Sequence, residues 1–316
     1  MNVDGLVSNF GALTTTGLTV GAIYALVALG YTLVYGVLKL INFAHSEVFI
    51  AGAYAALFTW SALGLNQHSS VSGLGPIVLY LGIGLLVAAV VSALTAMLVE
   101  QVAYRPLRKR NAPPLAFLIT AIGASIAISE AFAVYTRRLS RGVPKLMPTE
   151  PVFTVFGVPI SRVELLIVGS ALVMMLALDL FINRSRVGRG IRAVAQDPST
   201  AALMGINQDR IILMVFVAGG LMAGAAGVLY NVRIGSLAYS AGFLLGLKAF
   251  TAAVLGGIGN LRGALVGGLL LGLSENYASG LFGTEWKDLT AFVVLVVLLM
   301  FRPTGLLGES LGRARA

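Results

Sequence analysis

ALVALGYTLVYGVLKLINFAHSEVFIAGAY, residues 25–54, holds the pattern on which the fold turns. An apolar run ends at Tyr35, a polar turn follows, and a second apolar run begins with Asn42, His45, Ser46 and Glu47 at its mouth. Similar apolar runs recur along nearly the whole chain, many of them near the ~20 residues a helix needs to cross a bilayer. In hydrocarbon every backbone polar group needs an internal partner, which only helices and closed barrels provide; the alternation of a barrel is absent here. The fold class is therefore all-α, a polytopic membrane protein.

Composition points the same way. The chain has 316 residues, 58% hydrophobic and 11% charged, against roughly 25% charged in a soluble domain. Lysine and arginine total 22 against 13 acids, a net charge of +9. In a membrane protein that excess belongs to short cytoplasmic loops, where it sets orientation, so no nucleic acid is expected as a partner. Cysteine is absent, which excludes disulfides and thiol nucleophiles. There is no G-x-x-x-x-G-K-[ST] and no HExxH, and two isolated histidines are too few for a metal site. The chain is expected to be no enzyme: it has no ATPase site, binds no metal and carries no cofactor of its own.

The apolar pattern predicts helices near 13–37, 43–63, 75–99, 115–135, 164–183, 211–230, 244–258, 262–280 and 287–301, eight or nine of them transmembrane or re-entrant. The run 244–258 is short and ends in Gly256-Gly257, so it either spans or re-enters. The basic loop EQVAYRPLRKRNAP (100–113) and the segment 184–210 are expected in the cytoplasm. Counting spans from there puts the N-terminus, with no Lys or Arg before Lys39, outside. The tail with Arg302, Arg313 and Arg315 falls inside. The same parity places the basic loop 136–163 outside. The span ending at Tyr35 with its turn and helix 43–63 parallels the span ending at Tyr230 with its turn and helix 244–258, the arrangement of an inverted repeat. Glycines four apart (Gly17/Gly21, Gly220/Gly224, Gly263/Gly267, Gly268/Gly272) favour close helix packing. The acids in or at the ends of spans, Glu47, Glu100, Glu130, Asp179 and Glu275, are scattered. At the opening turn, Asn42 or Ser46 can cap a helix whose positive end favours Glu47, leaving His45 to face a pathway, a partner or its own helix.

GRGIRAVAQDPSTAALMGINQDR (188–210) is unusual for a loop. Asp197 reads as an N-cap, Pro198 as the first helical residue and Gly205 as the stop. Two turns of helix are unstable alone in water, so Ala201, Ala202, Leu203 and Met204 are expected to dock, against the chain itself or in a partner's groove.

The segments 25–54, RAVAQDPSTAALMGIN (192–207), AGAAGVLY (223–230) and LKAFTAAVLGGIGNLRGALVGGLLLG (247–272) together resemble the permease subunit of bacterial branched-chain amino acid ABC transporters, the LivH type, over essentially the whole length. Ser46 departs from the usual pattern, where Gly is common, and loop 137–150 is unusually basic. The resemblance implies a single permease domain (1–316) in the bacterial inner membrane that forms a heterodimer with a second, related permease. Two cytosolic ATPase subunits would bind ATP and Mg, and a periplasmic protein would deliver substrate. Helix 197–204 would be the ATPase-coupling helix, and Asn42, Phe43, His45, Glu47, Tyr239, Gly256 and Gly257 the candidates for the pathway or permease interface. Relatives for urea or short amides leave the substrate open. An ion-coupled secondary transporter using Glu130 and Asp179, or a channel or assembly subunit, would instead have no use for a docked 197–204 helix.

Overall fold

The computed structural model describes residues 3–148, 150–155 and 157–308; Arg313 and Arg315 lie outside the described residues. Every helix expected from the sequence has a counterpart. In chain order these are α1 (Val3–Ser8), α2 (Phe10–Leu38), α3 (His45–Ala62), α4 (Leu74–Val99), α5 (Arg105–Lys109), α6 (Pro114–Thr136) and α7 (Arg162–Arg184). They continue with α8 (Arg186–Gln196), α9 (Pro198–Leu203), α10 (Gln208–Ile234), α11 (Ala241–Gly256), α12 (Leu261–Phe282) and α13 (Lys287–Phe301). Among the described residues, five segments are long and apolar enough to cross a membrane: α2, Leu74–Lys109, α6, α7 and α10. A sixth is counted if α11 and α12, bent by 119° across residues 257–260, form one broken span. The other two expected helices, α3 and α13, form but have only 18 and 15 residues.

The loop expected at 100–113 is largely helical instead. A π-helical turn, Glu100–Tyr104, joins α4 to α5, and the Arg105 N–H bonds back to the Glu100 carbonyl. Pro106 has no N–H to give a helix, and the wider turn just before it absorbs the register change. The continuous Leu74–Lys109 segment has 36 residues, about 54 Å at ~1.5 Å per residue. That exceeds the ~30 Å hydrocarbon core, so its basic end runs past the apolar part. The loop after α6 also holds more than expected, because Arg141–Gly142 (β1) pairs antiparallel with Ser236–Leu237 (β4), and Pro151–Val155 (β2) with Val158–Ser161 (β3).

The helices divide into an inner and an outer set. The apolar window of α2 is 89% buried, while those of α6 and α7 are each 22% buried and leave their apolar faces open. In lipid there is little hydrophobic gain between helices, so close packing of small residues holds the inner set together. All four glycine pairs fall at helix crossings. Gly17 and Gly21 of α2 lie on Gly268 and Gly272 of α12; Gly220 and Gly224 of α10 lie on Ala88, Ser92 and Ala93 of α4; Gly263 and Gly267 face Gly256 and Ala252 of α11. A Cβ on Gly21 would sit 2.6 Å from the Gly268 carbonyl oxygen, so a larger residue would force the helices apart.

At one end of the bundle the loops meet: β1 joins the loop after α6 to the end of α10, and Ser70, after α3, bridges to Lys145. The basic loop 136–163 thus lies at the opposite end of α6 from α5. The chain leaving α13 turns back, with Leu306 and Leu307 N–H bonding to the carbonyls of Leu255 and Gly256 at the end of α11.

Candidate functional site

The turn into α3 is buried at the centre of the bundle. Asn42, His45, Ser46 and Glu47 are each at most 3% exposed. Neither Asn42 nor Ser46 caps α3 as the sequence suggests. The Asn42 side-chain oxygen accepts from the Ala44 N–H at 3.2 Å, closing a turn before the helix, and the Ser46 hydroxyl donates to the Phe43 carbonyl at 2.8 Å. The residue preceding α3 is Ala44, which has no side chain to cap with, because the turn is closed from Asn42 and the bundle surrounds it. The His45 ring meets Tyr31 edge-on at 5.0 Å and lies against Gly30 and Gly219. It does not reach the outer surface, where a partner permease would sit. The Glu47 carboxylate lies beside Gly242 in the first turn of α11, with the Ser125 hydroxyl at 3.4 Å. His45 Nε2, Glu47 Oε2 and the Tyr31 hydroxyl have no hydrogen-bond partner among the described residues. Buried polar atoms are ordinarily paired, and three of the unpaired ones fall in this neighbourhood.

Helix α11 relates this cluster to the remaining candidates. Phe43 packs on Phe250 at its middle, with ring centroids 5.6 Å apart. Tyr239 precedes α11 at the loop end, where its carbonyl accepts from Ser129 at 3.5 Å and Arg138 stands 5.9 Å from its ring. Gly256 and Gly257 lie at the far end, about 20 Å along the helix from Gly242. There Gly257 (φ 103°) packs on the returning segment at Leu307 and Gly308. The structure therefore gathers Asn42, Phe43, His45 and Glu47 and leaves Tyr239 and the glycine pair at opposite ends of α11.

The 184–210 segment contains two helices where one was expected. α8 was missed, although Ser185 caps it through the Gly188 N–H at 2.8 Å and the spacing of Val187, Ile191 and Val194 marks an apolar face. α9 is capped as read: Asp197 accepts from the Ser199 N–H at 2.9 Å and the Thr200 N–H at 3.3 Å. Bonds from the Ser199 and Thr200 hydroxyls, helped by these backbone bonds, hold its carboxyl down at about 2. Gly205 closes the helix at φ 81°, and the Ile206 N–H returns to the Ala201 carbonyl at 3.0 Å. Ala201 is buried against the chain, while Leu203 is 88% and Met204 79% exposed; Ala202 is also exposed.

Two charge clusters escaped the sequence reading. At one, Arg108 donates to Glu100 at 2.9 Å and to Asp209 at 2.7 Å, and Arg105 reaches Asp209 at 3.2 Å. At the other, Lys248 meets Glu275 at 3.0 Å and Asp288 at 2.6 Å, while the Tyr24 hydroxyl donates to Glu275 at 2.8 Å. Lys248 was findable, being the lone charge in the predicted 244–258 helix. Glu130 and Asp179 do not share a site: Glu130 pairs with Arg138 and Asp179 with Arg262. No group of three or more metal-ligating side chains occurs among the described residues.

Compared with known proteins, the chain matches the family described as branched-chain amino acid transport system / permease component over residues 13–299. It is 43% identical to the high-affinity branched-chain amino acid transport system permease protein BraD of Pseudomonas aeruginosa over 296 residues, 93% of this chain and 94% of that protein. It is 40% identical to LivH of Escherichia coli, a permease protein of the same description, over the same shares of each chain. A shorter likeness, 32% identity over 37% of this chain and 34% of the relative, joins it to the fructose import permease protein FrcC of Rhizobium meliloti.

Proposed function

The chain belongs to the branched-chain amino acid transport system permease family, and on that premise we propose that it is the membrane-embedded subunit of an ABC importer for branched-chain amino acids. The observation that carries the reading is α9, a capped two-turn helix that buries Ala201 against its own chain and turns Leu203 and Met204 outward. Two adjacent exposed apolar side chains on a helix outside the apolar spans fit a contact for another protein. In this reading α9 and its flanks, Asp197 to Gly205, sit in a cleft of a cytosolic ATPase. Two such subunits bind ATP and Mg, and the chain itself catalyses nothing. A second, related permease completes a heterodimer in the bacterial inner membrane, and a periplasmic protein delivers the substrate. The relatives' names favour branched-chain amino acids over urea or short amides.

The N-terminus is outside and the C-terminus cytoplasmic in this reading, with α5, α8 and α9 at the cytoplasmic end. Packing supports an inverted repeat that relates α2, α3 and α4 to α10, α11 and α12. α2 packs along α12 as α10 packs along α4, and α3 lies on α4 as α11 lies on α12. Short helices that meet inside such a repeat are where substrates pass, and in this reading the pathway runs beside the cluster of Asn42, Phe43, His45 and Glu47 next to α11. Purification of the tagged chain from native membranes in a gentle detergent tests the assembly, with two P-loop ATPases and a second permease expected alongside. A chain that emerges alone overturns it. Competition of leucine against urea for uptake tests the substrate. Unchanged uptake by an assembled His45→Ala complex would remove His45 from the path.

A further inference from the structure

The geometry points to a specific residue route that transmits movement of α9 to the buried turn at Asn42: Asp209, Arg105 and Arg108, then the π turn Glu100–Tyr104. The inference rests on the reading of α9 as the ATPase-docking helix. Each link is a direct contact. α9 and the start of α10 are tied together: the Gln208 side chain donates to the Pro198 carbonyl, Ile206 closes onto Ala201, and Asn207 caps α10 through the Arg210 N–H at 3.0 Å. Asp209, in the first turn of α10, takes both Arg105 and Arg108, one on each carboxylate oxygen. Arg108 also holds Glu100, whose side chain is 1% exposed, so the guanidinium spans the π turn from its first residue to the residues beyond it. Tyr104, the last residue of that turn, donates its hydroxyl to the Ile41 carbonyl and the Asn42 side chain, both at 3.2 Å. Its ring packs against Phe216 at 5.2 Å.

A π turn offers a discrete change, since resolving its wider turn returns the segment to α-helical register and rotates everything beyond it. Coupling between distant sites requires an element with two arrangements that both sites bias. Here one site pulls on the turn through Asp209 and the other through Tyr104. Arg105, Arg108, Asp209 and Tyr104 are thus positioning residues: they touch no substrate, and they set whether the α3 turn follows the ATPase.

The test uses the assembled importer in proteoliposomes, reading substrate transported per ATP hydrolysed, with ATPase association measured in the same preparations. Asp209→Asn and Tyr104→Phe are each expected to lower that ratio by about fivefold or more, with the ATPases still bound. The double variant should fall no further than the worse single, since both break one route. An unchanged ratio in either single variant, or losses that multiply in the double, overturns the route while leaving the function standing. Failure of the native chain to bring down any ATPase overturns both. If Asp209→Asn does not assemble, Asp209→Glu decides in its place: the retained charge is expected to keep the ratio, and a fivefold loss despite an intact ion pair would overturn the route.

Discussion

The turn into α3 and the helix α9 break the same rule in opposite directions. The first buries Asn42, His45, Ser46 and Glu47 in the middle of the bundle; the second holds Leu203 and Met204 out at the surface. The difference lies in what supplies the missing partner. A buried polar group must find its hydrogen bonds within the chain or leave them unmade, and at the α3 turn several atoms go without. An exposed apolar group leaves no bond unmade within the chain, so α9 is complete as a folded element and incomplete only as a surface. Changes at the α3 turn should therefore appear in the stability of the isolated chain, and changes on α9 only in what the chain binds.

The largest effect expected is on α9. Leu203→Asp combined with Met204→Asp should leave the thermal midpoint of the isolated chain unmoved. It should weaken ATPase association by about thirtyfold or more, as loss of an interface residue worth roughly 2 kcal/mol does. A lowered midpoint would mean that these side chains pack on their own chain, and the comparison would collapse. Next, Gly246→Val drives a side chain of α11 into Ser46 and to within about 3.1 Å of the Tyr31 hydroxyl. Overpacking of this kind costs about 1–3 kcal/mol, to be read as a lower midpoint with ATPase binding intact in whatever remains folded. Glu47→Gln should do less. It keeps the shape and replaces a carboxyl with one unpartnered oxygen, so the midpoint should hold or rise; a fall of several degrees would show that this oxygen has a partner.

The smallest effect concerns the α9 cap. The Asp197 carboxyl titrates at about 2, below its ordinary 3.8. Its contribution is complete above the ordinary value and is lost as pH falls through the lowered one. Amide exchange at Ser199 and Thr200 should therefore report a cap that is independent of pH from 8 down to about 4 and frays below that. An Asp197→Asn chain should lack the acid-side fraying.

Much of this was legible in the residues. The α9 cap, its proline and its terminating glycine act within a few residues of one another, so Asp197, Pro198 and Gly205 could be assigned without a structure. The glycine pairs could be read as packing faces for the same reason. The end of α4 could not, because charge was taken for a boundary: Arg105, Arg108 and Lys109 look like a loop, yet the helix continues, and Arg105 and Arg108 pair with Asp209, 101 residues from Arg108. Nor could the roles of Asn42 and Ser46, which bond to Ala44 and Phe43 in the turn itself rather than capping α3, while the Tyr104 hydroxyl that also reaches Asn42 comes from elsewhere in the chain.

By itself the sequence determined that the chain is a helical membrane protein, where its long apolar helices run, and that α9 is a short capped helix. These follow from hydropathy over some 20 residues and from hydrogen bonds between near neighbours. Only the tertiary structure decided which helices are inner and which face outward, that Glu47 of α3 sits beside the first turn of α11, and that Lys248, Glu275 and Asp288 form one cluster. Those pairings join positions far apart in the chain. A single sequence carries no trace of them, because nearly every helix is apolar all round, and its periodicity does not mark the face that turns inward.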